Sequence, residues 1–266
     1  MDCFVSGVGV WGPGIRGWPD ARGVLLGQTP LGADDGERPT ATALPATERR
    51  RATLGTRLAI SVGQQAVEAS GQDPAGLPTV FASSASNPDI IDELCDALAG
   101  SRTDLSPTKF HNSVHNSPSG YFGIAVGSRE ASSSLCACDA SAAAGLLEAS
   151  VQAAFAERPV LLVSYDLPYP GSLASARAVT GTWGVALMLS AEAPARPLAA
   201  LQVRFEPGEA PVSTLGDAAL EQARRSNPTA RLLPLLGALA ADSPARVLLE
   251  LGAATRLAVT VRPLAR

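Results

Sequence analysis

A chain of 266 residues with 46% hydrophobic content is long enough to bury a substantial core, near the upper size of one α/β domain. Its net charge of -4, without a basic stripe interleaved with aromatic residues, argues against nucleic acid as a partner. Because the sequence shows neither a secretory signal nor an apolar run of membrane-spanning length, we expect a cytoplasmic protein whose cysteines are reduced.

The first half of the chain alternates short apolar runs with segments of helical periodicity. A first strand ends at Gly12, and the polar segment that runs into Arg49, Arg50 and Arg51 is predicted to be a loop. In chain order the predicted elements are a strand at 4–10, helices at 18–26 and 54–69, a strand at 79–82, a helix at 89–98, a strand at 134–138 and a helix at 140–157.

The second half predicts more strands. They lie at 160–164, 184–190 and 198–205, the last two as a hairpin, and are followed by helices near 218–225 and 231–241 and a terminal hairpin of 246–251 with 257–262. Alternation of strands and helices over the first two thirds predicts a layered α/β domain with a mostly parallel sheet covered on both faces.

The segment 133–149 carries most of the functional information. A predicted strand meets a helix whose first turns are almost entirely Ala, Ser and Gly, so these turns are expected to be buried with close backbone approach. The first N–H groups and the dipole of such a helix stabilise an anion at the corner.

Three segments resemble β-ketoacyl synthases. Residues 5–14 are similar to the first strand and turn of that family, and residues 112–125 resemble its Pro-Asn-Ala-Ala-Ala-Gly-Asn loop and the short helix after it. The corner at 133–149 follows the segment 112–125 at the sequence spacing that is usual in the family. The resemblance implies a thiolase-like half over residues 1–206, with residues 207–266 adding helices and a β-hairpin packed on the same domain.

Registering the helix on 145–149 places Asp139 where the resemblance puts the acyl-accepting cysteine. A carboxylate is a poor acceptor for an acyl group from a thioester, whereas at a helix N-terminus it is a good cap. The family's two catalytic histidines lie in its C-terminal half, and no histidine follows Asp139 here. We therefore expect a chain that is not catalytic on its own.

A ketosynthase fold without its nucleophile resembles the chain length factors, which pair with an active ketosynthase and bound its acyl tunnel. The short length resembles half-length subunits of aryl polyene and xanthomonadin-type pathways in polyketide or fatty acid biosynthesis. The resemblance implies a ketosynthase partner in a heterodimer, an acyl carrier protein as indirect partner, and no cofactor or metal. It also places the segment 112–122 at the dimer interface, so that the residues expected to face the partner's tunnel are His115, Asn116, Tyr121 and Phe122.

Other interpretations remain open. If the register slips by one residue, Cys138 becomes a candidate nucleophile with His115 as its base, whereas the structural alternative makes Cys136 and Cys138 small buried strand residues. A homodimeric scaffold is the third possibility. Arg49, Arg50 and Arg51 form either a solvated cluster or a docking patch for an acidic carrier protein.

Two motif matches are weaker. His111 and His115, together with Cys136 and Cys138, have the composition of a zinc site, but the Asn and Pro residues around the histidines disfavour the regular helix that it needs. Residues 7–12 match G-x-G-x-x-G, yet Pro13 prevents a helix from starting where a dinucleotide would require it. A tight turn explains the glycines better.

Overall fold

Eight strands form one mixed sheet in the computed structural model, which describes residues 1–33, 35–100 and 105–264. The strands are β1 (Asp2–Trp11), β2 (Thr79–Ala82), β3 (Ser132–Leu135), β4 (Val160–Asp166), β5 (Trp183–Ser190), β6 (Ala199–Pro207), β7 (Ala245–Gly252) and β8 (Thr255–Pro263). Their order across the sheet is β3-β2-β4-β5-β1-β6-β8-β7.

Ten helices accompany the sheet in the described ranges. They are α1 (Trp18–Leu25), α2 (Ala46–Arg51), α3 (Leu54–Ser70), α4 (Pro88–Ala99), α5 (Pro107–Ser113), α6 (Ser117–Val126), α7 (Ser141–Ala156), α8 (Gly171–Ala176), α9 (Ala218–Ser226) and α10 (Leu233–Ala240). No helix in this part of the chain has both the length and the apolar character needed to cross a bilayer.

The layered α/β fold is confirmed, but the expectation of a mostly parallel sheet is wrong. Only β2 with β3 and β2 with β4 pair in parallel, and the other five pairings are antiparallel. The predicted hairpin of 184–190 with 198–205 is also wrong, because β1 lies between β5 and β6 and pairs with both. Since β1 is buried along nearly all of its length, it needs a neighbour on each edge to satisfy its backbone groups.

Two hydrophobic layers cover the sheet. On one face, α3 and α6 pack through residues such as Leu58, Ile60 and Phe122. On the other face, Leu146 of α7 shares a core with Leu235 of α10 and with β7 and β8. The C-terminal segment therefore extends the same sheet and contributes to the same core as the strands that precede it.

The glycines of β1 are explained by helix packing. A Cβ atom at Gly7 would lie 2.1 Å from the carbonyl oxygen of Ala66, and one at Gly9 would lie 2.0 Å from that of Val62. Both glycines face α3, because alternate residues of a strand share a face. Their spacing thus permits close approach of α3 to the central strand and requires no dinucleotide.

Candidate functional site

The strand-to-helix corner differs in detail from the expected one. β3 ends at Leu135 and not at Cys138, and Cys138–Ala140 form a 3₁₀ turn that precedes α7. Cys138 has a φ of 49°, so the chain turns sharply at this point. The hydroxyl of Ser141 holds the turn, because it accepts from the backbone N–H of Ala137 at 3.0 Å and donates to the carbonyl of Cys138 at 2.7 Å.

Asp139 does not cap α7 as expected. The N-cap residue is Ala140, which provides no side-chain acceptor. The carboxylate of Asp139 instead pairs with Arg177 and, at 3.1 Å, with Arg231, whose guanidinium also pairs with Glu250 of β7. The position that the family register assigns to the nucleophile is therefore occupied by an acid held between two guanidinium groups.

Both corner thiols are exposed, so the expectation of two buried strand cysteines is wrong. The two thiols are exposed because β3 ends at Leu135, before either cysteine. The Sγ atom of Cys136 donates to the carbonyl of Ser84 at 3.2 Å. Arg177 lies close to both thiols: burial lowers the pKa of its guanidinium, and Cys138 and Cys136 oppose that change.

A buried carboxylate, which the sequence analysis did not single out, lies behind the corner. Asp166 ends β4 and is 1% exposed. Its Oδ1 accepts from the backbone N–H of Ser84 at 2.8 Å, from its hydroxyl at 2.6 Å and from the hydroxyl of Ser83 at 3.3 Å, and its Oδ2 accepts from Thr229 at 2.9 Å. An acid closing an otherwise apolar strand was the signal available in the sequence.

This carboxylate is connected to the corner through hydroxyl groups. The Ser84 hydroxyl lies 2.9 Å from that of Tyr169, which accepts from Arg177 at 3.1 Å. Because Ser84 gives its only hydroxyl proton to Asp166, Tyr169 must donate to Ser84. One hydrogen-bonded chain thus runs from Asp166 to Arg177 and from there to Asp139.

The residues expected at the partner's tunnel fall into two groups. Tyr121 and Phe122 are buried in this chain's own core, where Phe122 packs edge-on against Phe81 with ring centroids 5.9 Å apart. His115 is half-buried, with Nε2 at 3.1 Å from the carbonyl of Ser83, and Asn116 is exposed. Of these four residues, His115 and Asn116 are therefore the two that present surface to a partner.

The surface of this region is formed by apolar residues that the sequence analysis did not name. Phe110 and Val114 of the α5 segment are 62% and 47% exposed, and Ile124 of α6 is 55% exposed. On α7, Val151 is exposed and Phe155 is 92% exposed. Helical periodicity alone could not separate these outward residues from those facing the core.

The remaining candidates are placed as follows. Arg49, Arg50 and Arg51 lie on the short helix α2 and not in a loop. The backbone N–H of Arg49 donates to the carbonyl of Pro45, and that of Ala52 donates to the carbonyl of Glu48, which closes the helical turns. His111 stacks edge-on against Tyr121 at 6.1 Å between ring centroids. Within the described ranges no group of three or more His, Cys, Asp or Glu side chains is placed to hold a metal.

A mixed sheet covered on both faces, with a buried helix starting at a tight corner, defines a thiolase-like α/β protein. The chain belongs to the β-ketoacyl synthase family: the family model described as "Beta-ketoacyl synthase, N-terminal domain" matches residues 27–244. Among curated proteins, no significant match to the chain is found.

Solved structures share the fold along the whole chain. One is a chain of the complex between the ketosynthase ApeO and its chain length factor ApeC from Xenorhabdus doucetiae, with a TM-score of 0.73 and 22% identity over 98% of this chain and 99% of that chain. A second belongs to the ishigamide ketosynthase/chain length factor, with a TM-score of 0.71 and 14% identity over 100% of both chains. At these identities the likeness establishes the fold.

We predict that Asp139→Asn lowers the free energy of unfolding by about 1 kcal/mol at low salt, with a smaller loss at high salt. The carboxylate loses its charge between Arg177 and Arg231, but its side chain is 45% exposed, so solvent screens the pairs. Urea denaturation at two salt concentrations measures the effect. Glu206→Gln removes the more exposed pair with Arg246 and serves as control; equal losses in both variants would contradict the prediction.

Stability should also depend on pH through Asp166. Burial raises the pKa of its carboxyl to about 6, although the hydroxyl donors oppose the rise. Since the folded pKa lies above the unfolded one, the folded state binds the extra proton between about pH 4 and 6, and stability falls as pH rises through that window.

Relative to Asp166→Asn, the wild-type chain should therefore gain about 1 kcal/mol of unfolding free energy when the pH is lowered from 7 to 5. Denaturant titrations of both proteins across this range measure the difference. Comparing the two removes the contributions of other carboxylates, such as Glu221, whose pKa is lowered to about 2 mainly by Arg224. A difference that stays constant with pH would refute the assignment.

Proposed function

We propose that this protein is a non-catalytic chain length factor that forms a heterodimer with a β-ketoacyl synthase and bounds the end of its acyl tunnel in polyketide-type or polyene chain elongation. The observation that carries the proposal is at the corner, where Asp139, which the sequence register assigns to the nucleophile position, is paired with Arg177 and Arg231. An ionised carboxylate in two ion pairs does not accept an acyl group from a thioester. The chain then contributes shape to a partner's site.

Family membership and length agree with this role. The fold matches chains of ketosynthase/chain length factor structures from end to end, so a subunit of this length occurs in that class of assembly. In the described part of the chain, both histidines precede the corner, and His115 is engaged with a backbone carbonyl. No histidine follows Asp139 in the sequence, whereas in the family the catalytic histidines do.

The surface for the partner is the edge of the sheet at β3, which pairs only with β2 within the described ranges. Both layers beside this edge expose apolar side chains. Gln152 of α7 donates to Ser133 at 3.1 Å, which places Val151 and Phe155 alongside the strand.

On the other face, Ser134 donates to Ser119 of α6 at 3.3 Å, next to the exposed Ile124. A cavity of about 570 Å³ opens here, lined in part by Gly120 and Ser132. An unpaired strand edge flanked by apolar side chains is a surface that a partner subunit covers.

The opposite edge of the sheet is protected. Residues of the segment before α9 lie along β7, where the N–H of Ser213 donates to the carbonyl of Leu248 at 2.9 Å and the Ser213 hydroxyl accepts from the N–H of Leu248 at 3.0 Å. This difference supports β3 over β7 as the interface.

We predict that coexpression with its cognate ketosynthase gives a 1:1 complex and that Phe155→Asp weakens it by at least about tenfold, because an exposed aromatic side chain that the partner would bury is replaced by a charge. Phe205→Asp is the matched control, since Phe205 is 57% exposed on β6, away from β3. Native mass measurement and titration report the association. A stable homodimer, or a monomer that never associates, would overturn the proposal.

The tunnel contribution has a separate test. Because Tyr121 and Phe122 are buried, a bulky residue there would disturb folding, and the exposed Val114 is the better probe. Val114→Trp should shift the products of the complex to shorter chains, as the larger side chain fills tunnel space, whereas Trp at the exposed Leu26, the residue directly after α1 (Leu26→Trp), should leave them unchanged. Product distributions identical in both variants would exclude Val114 from the tunnel.

A carrier protein is the second partner that we propose. Arg50 and Arg51 are exposed on α2, and the carbonyl of Arg51 accepts from Asn112 at 3.1 Å, which ties this helix to the start of the α5–α6 segment. A basic surface there suits an acidic carrier protein. Product formation that survives charge reversal at Arg49, Arg50 and Arg51 would eliminate docking.

One observation favours a second candidate function. Cys138 combines exposure with a positive φ, and strained non-glycine residues cluster at functional sites. A chain that transfers or hydrolyses acyl thioesters by itself would turn them over in isolation and lose that activity in Cys138→Ala.

A further inference from the structure

We propose that Cys136 and Cys138 are a modification site, at which the two thiols react with a low-molecular-weight disulfide and close into an intramolecular disulfide. This inference goes beyond the chain length factor role and does not depend on it. Both thiols are exposed and separated by one residue, and they follow the end of β3, with Cys138 as the first residue of the 3₁₀ turn.

The backbone between the two cysteines is bent. Ala137 has φ -137° and ψ 39°, Cys138 has φ 49°, and a backbone bond from Ala140 to the carbonyl of Ala137 at 2.9 Å closes the turn. A bent backbone brings two such residues within the roughly 4.4–6.8 Å between Cα atoms that disulfides span. Ser141 already fixes this turn, so little chain entropy opposes closure.

A cation lies near both thiols. Burial lowers the pKa of the Arg177 guanidinium, and the neighbouring Cys138 and Cys136 oppose that change. The Cys136 thiol makes one weak bond, to the carbonyl of Ser84, and no hydrogen bond to the Cys138 sulfur is found among the described residues. Neither thiol is therefore held back from reaction.

The reaction is a thiol–disulfide exchange. The Cys138 thiolate attacks one sulfur of R–S–S–R, its S–S bond breaks, and one RS⁻ leaves and takes up a proton. The Cys136 thiolate then attacks the Cys138 sulfur and releases the second RSH. In total, two protein thiols are oxidised, one small disulfide is reduced to two thiols, and a ring of few atoms forms, whose strain makes it easily reduced again.

The test uses the full chain with glutathione disulfide as the probe. Cys95 is also exposed, on α4, so Cys95→Ser is the background, and Cys3 is buried. Intact mass should show loss of two hydrogens without an adduct, and both corner thiols should become resistant to alkylation. Cys136→Ser should retain one glutathionyl group on Cys138, because the resolving thiol is absent.

Thiols that stay free, or adducts that persist while both cysteines are present, would overturn the proposal. Alkylation of the two-thiol protein gives this answer even if a Ser variant misfolds.

Discussion

The carboxylate of Asp166 is the constraint around which the functional end of the sheet is arranged. A buried carboxylate is costly unless donors surround it. Here the donors come from Ser83 and Ser84, which follow β2, and from Thr229 in the C-terminal segment. Meeting this requirement fixes the position of two chain segments relative to β4, and one of them carries the Ser84 carbonyl that accepts from Cys136.

The C-terminal segment completes the site as well as the sheet. Thr229 supplies a donor to Asp166, and two residues further on Arg231 joins Asp139 to Glu250 of β7. The same segment adds β7 and β8 and the apolar residues of α10. Among the described residues the sheet is thus covered along β7 at one edge and unpaired along β3 at the other, and β3 is the edge at which we propose that a partner binds.

The sequence predicted most helices and strands because each has its own apolar pattern, as the helical spacing of α3 shows. It did not predict which strands pair, since the insertion of β1 between β5 and β6 depends on contacts far apart in sequence. The family motif predicts the nucleophile position at Asp139, but it does not predict the pairing of Asp139 with Arg177 and Arg231, because no local pattern connects them. Tyr121 and Phe122, which were expected to face the partner's tunnel, are buried in this chain. The presence of an aromatic residue on a short helix does not indicate which way its side chain points.

The strain at Cys138 and the ion pairs of Asp139 are best understood together. A left-handed residue costs about 1 kcal/mol, so something must hold it there. The turn at Cys138 directs the next side chain towards Arg177 and Arg231, and Ser141 bonds both sides of it. The ion pairs and the hydroxyl thus account for the strain without a catalytic thiol, which favours a corner adapted to shape a partner's site over one that performs acyl transfer.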